Sequence, residues 1–185
     1  MGLQIEGGGK GNTASVNDEN KLEVNAIVAV EEAHVNTHEK EAYTAMFSVT
    51  PTGAGDCFGY ITNTDDKDMM ISTLMLRAAS DETIQVKIGD IGTAVGGADI
   101  TLVNRNAGSG KLASVTAQQG VDITGLAGGS VVAGAFIKGG ESSIQITIAS
   151  SIIVPKNKTI SFYVATGTSA VMMGCSVFFH EHEHD

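Results

Sequence analysis

The sequence predicts an all-β protein: an antiparallel β-sandwich of about eight strands set behind an extended N-terminal arm. Three observations predict it. Gly, Ala, Ser, Thr, Val and Ile fill the chain in short alternating runs, turn residues punctuate those runs, and charge crowds towards the two ends. No apolar period of 3.6 residues is sustained long enough to compete. The 185 residues include 23 Gly, 2 Pro and no Trp, with 42% hydrophobic against 17% charged, so a packed core is available and much of the surface must be small and polar. A domain of this size buries roughly 70% of the surface its unfolded chain exposes, enough to fold without a disulfide or metal staple.

Residues 1–20 read as the arm. Gly7, Gly8, Gly9, Gly11, Asn12, Asn17, Asp18 and Asn20 make ordering entropically costly without a partner surface. Such a segment keeps apolar residues when they have somewhere to go. That singles out Leu3, Ile5 and Val16, with Lys10, as contact residues, docking as a short added strand. The folded domain is expected over residues 21–185, because Leu22, Val24, Ala26, Val28 and Val30 alternate at period two.

The Glu-rich stretch 31–42, with His34 and His38, reads as a short exposed helix or a polar loop. Strands are expected over residues 43–49, closed by Pro51 and Gly53; over 57–62, before the turn-forming run 63–68; and over 69–77. The clearest is 83–88, where Ile84, Val86 and Ile88 face one way and Thr83, Gln85 and Lys87 the other. Residues 100–103 and 130–137 are further candidates. The Gly/Asn/Ser-rich region 104–129 that joins them reads as a binding loop with little to hold it rigid. Residues 143–148, 159–164 and 171–179 complete the set.

A formal net charge of −10 is repelled by phosphate backbones, which argues against a nucleic-acid partner. No run of 18 apolar residues is present to enter a membrane, and the N-terminus has neither the basic nor the apolar region of a signal peptide. Cys57 and Cys175 stand far apart outside any C-x-x-C pattern, as small buried hydrophobes of a reducing compartment do.

Chemical motifs fail on inspection. Before Gly110-Lys111 the phosphate-loop glycine is replaced by Arg105, and after it the Ser or Thr is Leu112. Gly53-Ala-Gly-Asp-Cys-Phe-Gly59 is off by one from a dinucleotide fingerprint and opens a strand. Cys57 has no positioned His, no Gly-x-Ser-x-Gly is present, and Asp56, Asp65, Asp66 and Asp68 read as turn residues, so the expectation is a non-enzymatic protein. The ending carries His180, His182 and His184 on one face of a strand, about 7 Å apart in sequence steps of two. One chain closes on a metal poorly at that spacing. In a threefold assembly, two such positions per chain supply six nitrogens for an axial iron, nickel or zinc, and Phe178 and Phe179 beside them become trimer contacts. The plainer reading is a solvated tail without any cofactor.

The opening Met1-Gly-Leu-Gln-Ile-Glu-Gly-Gly8, the bridge Ala14-Ser-Val-Asn-Asp-Glu-Asn-Lys-Leu-Glu-Val24, the segment Gly55-Asp-Cys-Phe-Gly-Tyr-Ile-Thr-Asn63, Leu74-Met-Leu76 and the loop Asn104-Arg-Asn-Ala-Gly-Ser-Gly110 together resemble tailed-bacteriophage virion structural proteins of the small head-decoration or fibre type. The resemblance covers most of the chain as a style of sequence. It implies a β-sandwich or jelly-roll domain, commonly a homotrimer, whose arm grips the major capsid protein and neighbouring copies on the capsid surface as a cement protein. The His-x-His ending is also similar in spacing to the iron sites of trimeric phage spikes. A tail, collar or head-fibre component is the nearest alternative, and a carbohydrate-binding module the alternative from another class.

Overall fold

The computed structural model describes residues 15–16, 22–23, 31–140 and 143–180. The chain divides into two compact units, Met1–Val30 and Glu31–Asp185; the arm-to-domain boundary expected between residues 20 and 21 lies outside the described residues. In the first unit β1 (Ser15–Val16) pairs antiparallel with β2 (Leu22–Glu23), Val16 opposite Leu22. Of the strand expected through Val30, only Leu22–Glu23 lies among the described residues.

The second unit opens with a helical turn, α1 (Glu31–His34), that widens into a π-turn over Val35–Glu39. Lys40 ends it in the left-handed conformation (φ 61°), its N–H donating to the Val35 carbonyl. Val35 packs on Ala42, Phe178 and Met70, covering one end of a sheet. Eleven strands follow: β3 (Ala42–Val49), β4 (Cys57–Asn63), β5 (Asp68–Ala78), β6 (Glu82–Ile88), β7 (Ala98–Asp99), β8 (Val103–Asn104), β9 (Val115–Gln119), β10 (Ser130–Ile137), β11 (Ile144–Val154), β12 (Thr159–Val164) and β13 (Val171–His180). They form two antiparallel sheets, ordered β11-β5-β13-β3-β8 and β10-β6-β12-β4-β9-β7. The protein is all-β, as expected.

Eight of these strands are long, and their pairing is nested. Taken in chain order, the first pairs with the last (β3 with β13), the second with the seventh (β4 with β12), the third with the sixth (β5 with β11) and the fourth with the fifth (β6 with β10). The three extra strands come from residues 89–129. The stretch read as a structureless loop, 104–129, contains β9, paired with β4 from Gly59↔Gln119 to Asn63↔Val115, and returns through bridges Ile91↔Ala127 and Val95↔Thr124. The residue that β9 buries is the small Ala117, which left no large-apolar alternation to read.

Period-two alternation delivers one apolar face of each sheet to a shared core. Phe47 of β3 crosses to meet Phe58 of β4 and Phe162 of β12, with ring centroids 6.5 and 5.3 Å away. Gly59 makes that approach feasible, since a Cβ built there would lie 2.5 Å from Phe47 Cδ1. Gly59→Ala is therefore expected to cost about 1–3 kcal/mol by overpacking. Phe47→Leu, destabilising alone, should absorb most of that added cost. A urea double-mutant cycle showing additive losses would refute the contact.

Candidate functional site

Every residue of β12 is buried, on the outer as well as the core side. Its outward row, Thr159, Ser161 and Tyr163, carries hydroxyls that need partners once water is excluded. Asp90, just beyond β6, supplies the acceptor. Its Oδ2 accepts hydrogen bonds from Ser161 Oγ and from Tyr163 OH (2.9 Å), and its Oδ1 accepts from the Gly129 N–H (2.7 Å). One carboxylate thus ties both ends of the 89–129 excursion to the sheet. With both oxygens engaged, Asp90 works as a staple.

A second, smaller core forms beneath the excursion from Cys57, Tyr60, Tyr163 and Ile123, with Ala94 and Leu126 against it. Burial pushes the Cys57 thiol up to about 11, its Sγ–H donating to the Gly59 carbonyl at 3.4 Å. Burial also raises the Tyr163 phenol, reinforced by Cys57 and Asp90, while Lys87 Nζ sits 3.7 Å from the Tyr163 ring centroid. Beside this core lies a groove of about 400 Å³, bounded by Tyr60, Thr62, Thr116, Leu126, Asn157 and Thr159. Thr62 and Thr159 share a hydroxyl hydrogen bond of 2.9 Å across its floor.

Two adjacent rows on the outer face of the other sheet hold three methionines and little charge. Met46 of β3, Gly174 of β13 and Met75 of β5 lie in one row; Ser48, Met172 and Arg77 lie in the next. The three methionines are each about half exposed, at 51%, 52% and 47%. Arg77 is the single charged residue in these two rows.

Two further polar clusters are structural. Glu82 is fully buried, and its Oε1 accepts from the Thr83, Thr166 and Gly167 N–H groups and from Thr166 Oγ1. Glu41 accepts from Lys67 Nζ (2.6 Å) and Lys111 Nζ (2.5 Å). Burial raises its carboxyl, and the two ammoniums more than offset this, leaving it below the usual Glu range.

The residues singled out from sequence fare differently. Leu3, Ile5, Lys10, His182 and His184 lie outside the described residues, and Val16 sits in β1. His180 ends β13 opposite Asp68. Phe178 and Phe179, expected at a trimer contact, are each 2% exposed. Phe178 packs on Val35 and Ala42, and Phe179 meets Tyr43 edge-on at 5.8 Å, so the chain's own core uses both rings. The His34 and His38 rings face each other at 4.6 Å, and among the described residues no group of three or more His, Cys, Asp or Glu converges as a metal site. Asp56 closes its turn as expected, accepting from the Thr52 and Gly53 N–H groups and from Thr52 Oγ1. Cys57 and Cys175 are both buried free thiols.

Sequence reasoning missed Asp90, Ser161 and Tyr163. The available signal was faint: a Ser and a Tyr two apart on the polar side of a strand, the side expected to face water. Compared with known proteins, no family model, no curated protein and no solved structure matches the chain.

Asp90→Ala strips an acceptor from three donors and should cost roughly 2–4 kcal/mol, with Cys57 becoming reactive to a thiol reagent at denaturant concentrations that leave the global fold intact. Unchanged denaturation and an unreactive Cys57 would show the staple to be idle. Glu41 contributes stability above the ordinary Glu pKa, about 4.3 in unfolded chains, and loses it as pH falls through its depressed folded value. The stability gap between wild type and Lys67→Met should therefore be open at neutral pH and close on acidification; a gap independent of pH would rule out the ionic contribution.

Proposed function

We propose that this chain is a non-enzymatic structural protein of a tailed-phage virion, a decoration (cement) subunit that seats on the outer capsid surface, and that its fold is a jelly roll. The nested pairing supports the fold reading. First with last, second with seventh, third with sixth and fourth with fifth is the pattern of one long hairpin rolled around a core, with residues 89–129 inserted after the fourth strand.

The observation that carries the functional reading is the exposed Met46–Met75–Met172 face, with Arg77 as the one charge in its two rows, on a chain of formal net charge −10. Flexible thioethers conform to an irregular surface, and two rows with Arg77 as their one charge can be desolvated against a large assembly at low electrostatic cost. The remaining acidic surface keeps free copies soluble and away from the packaged genome. The resemblance of the sequence to head-decoration proteins points the same way. In this reading the first unit, with Leu3, Ile5, Lys10 and Val16, supplies a second hold on the major capsid protein or on neighbouring copies. Many modest contacts repeated over a lattice add up to resistance against internal pressure. The protein is then made in the host cytoplasm and carried on the virion.

One observation favours a second reading. The groove bounded by Thr62, Asp90, Thr116, Asn157 and Thr159 presents hydroxyl, amide and carboxylate groups beside Leu126, a lining suited to a polyhydroxylated ligand, as in a carbohydrate-binding module.

Co-sedimentation with expanded empty capsids separates the two. Wild-type protein should load to saturation. Met75→Asp with Met172→Asp should cut occupancy at least tenfold, and Leu3→Asp with Ile5→Asp should do likewise, both without a change in melting temperature. Protein that ignores capsids yet binds polysaccharide, and loses that binding on Asn157→Ala, would replace the cement reading with the second.

A further inference from the structure

The four sheet edges are managed very differently. On one side the edges are β7 and β8, two residues each, too short to template another chain. On the other side they are β10 and β11, of 8 and 11 residues. Neither contains a charged residue or an interior proline, the usual devices that protect an edge. The β11 ladder breaks between Thr147 and Ile152, where Ser151 takes φ +53°. The β10 ladder shifts only at its start, between Val131 and Ala133, and is regular from Ala133 to Ile137. Its far side pairs with no strand among the described residues.

That regular stretch reads Ala133-Gly134-Ala135-Phe136-Ile137. Phe136 stands outward, 63% exposed, across from Thr83, and Gly134 lies on the same face one step along, across from Gln85. A large exposed ring next to a position with no side chain is a knob beside a hole. An antiparallel pair formed about a twofold axis at Ala135 sets residue 134 of one copy opposite residue 136 of the other, and residue 133 opposite 137. Each Phe136 ring then lies over the other copy's Gly134, the aromatic cover that a strand glycine accepts.

We infer that β10 is the docking edge for a second copy of this chain, paired antiparallel about Ala135 with Phe136 of each copy laid across Gly134 of the other. The occupant follows from self-complementarity, since the Phe136 knob and the Gly134 hole lie on the same edge and match when that edge meets its own copy. Two copies, each of formal net charge −10, repel, and an uncharged edge is where they approach with least penalty. No like charges fall opposite each other in this register: Lys138 comes to lie across from Val132. Phe178 and Phe179, which the threefold expectation relied on, are spent inside the monomer, whereas β10 exposes Val131, Val132 and Phe136. The proposal stands apart from the virion reading and survives its failure.

The test uses the full chain. Light scattering over a wide concentration series should give the mass of two chains. Gly134→Val fills the hole in the partner's path. Within one copy its Cβ lies 3.4 Å from the Ile84 carbonyl oxygen, an ordinary contact, and valine favours a strand. This variant should melt no lower than a wild-type monomer yet dissociate at concentrations at least tenfold higher than wild type. Ala135→Cys should form an interchain disulfide under mild oxidation much faster than Leu112→Cys, an exposed site elsewhere, because the two 135 positions face each other. Cys57 and Cys175 are buried and give no background. If Gly134→Val fails to fold, the cross-linking rate decides. A monomer at all concentrations, a trimer, a dimer indifferent to Gly134→Val, or Ala135→Cys linking no faster than Leu112→Cys would each overturn the proposal.

Discussion

β12 has no face that meets water, and most of the larger sheet follows from that. A strand buried on both sides needs apolar cover on its core side and polar satisfaction on the other. Ile160, Phe162 and Val164 meet the first demand by packing into the shared core. Ser161 and Tyr163 meet the second through Asp90, and Asp90 can reach them because residues 89–129 fold back over the sheet. The excursion is held at its far end by the same carboxylate, through Gly129. The small second core, the raised Cys57 thiol and the hydroxyl groove are by-products of covering one central strand.

The strands were legible where burial is one-sided. β6 shows it best: Ile84 and Val86 are buried, Thr83, Gln85 and Lys87 face outward, and the alternation in sequence is the alternation in space. Legibility failed where tertiary packing overrides the local pattern. The 159–164 segment looked half-polar and is wholly buried, because a loop distant in sequence covers it. β9 has only Ala117 to show for its burial, and the Gly-rich run around it concealed a strand. Phe178 and Phe179 looked like an exposed aromatic pair near a chain end. The helical turn at 31–39 and Tyr43 cover them, and no spacing rule connects those segments. The Asp90 staple joins residues that are 39 to 73 positions apart, beyond any local motif.

Charge is distributed in a way that composition alone does not show. The acidic surplus of the whole chain coexists with methionine rows on one sheet that hold Arg77 as their one charge, and with the uncharged edge strands β10 and β11. Three acidic side chains drawn into the fold find donors: partly buried Glu41 in two lysines, Glu82 in backbone amides and a hydroxyl at Oε1 while its Oε2 has no hydrogen-bond partner, and Asp90 in hydroxyls and an amide.

The nested pairing also governs how the chain acquires its structure. The first strand of the second unit, β3, is hydrogen-bonded along most of its length to β13, so its central partner exists only after more than a hundred further residues have been synthesised. Until then the inner faces of β3 and β5, with Phe47, Ile71 and Leu74, have no complete sheet to close over them. Folding is consequently dominated by distant contacts, which places it at the slow end of the range for domains of this size. The β6–β10 pair, innermost in the nest, is the one long pairing that can form early, which makes it the natural place for the fold to begin.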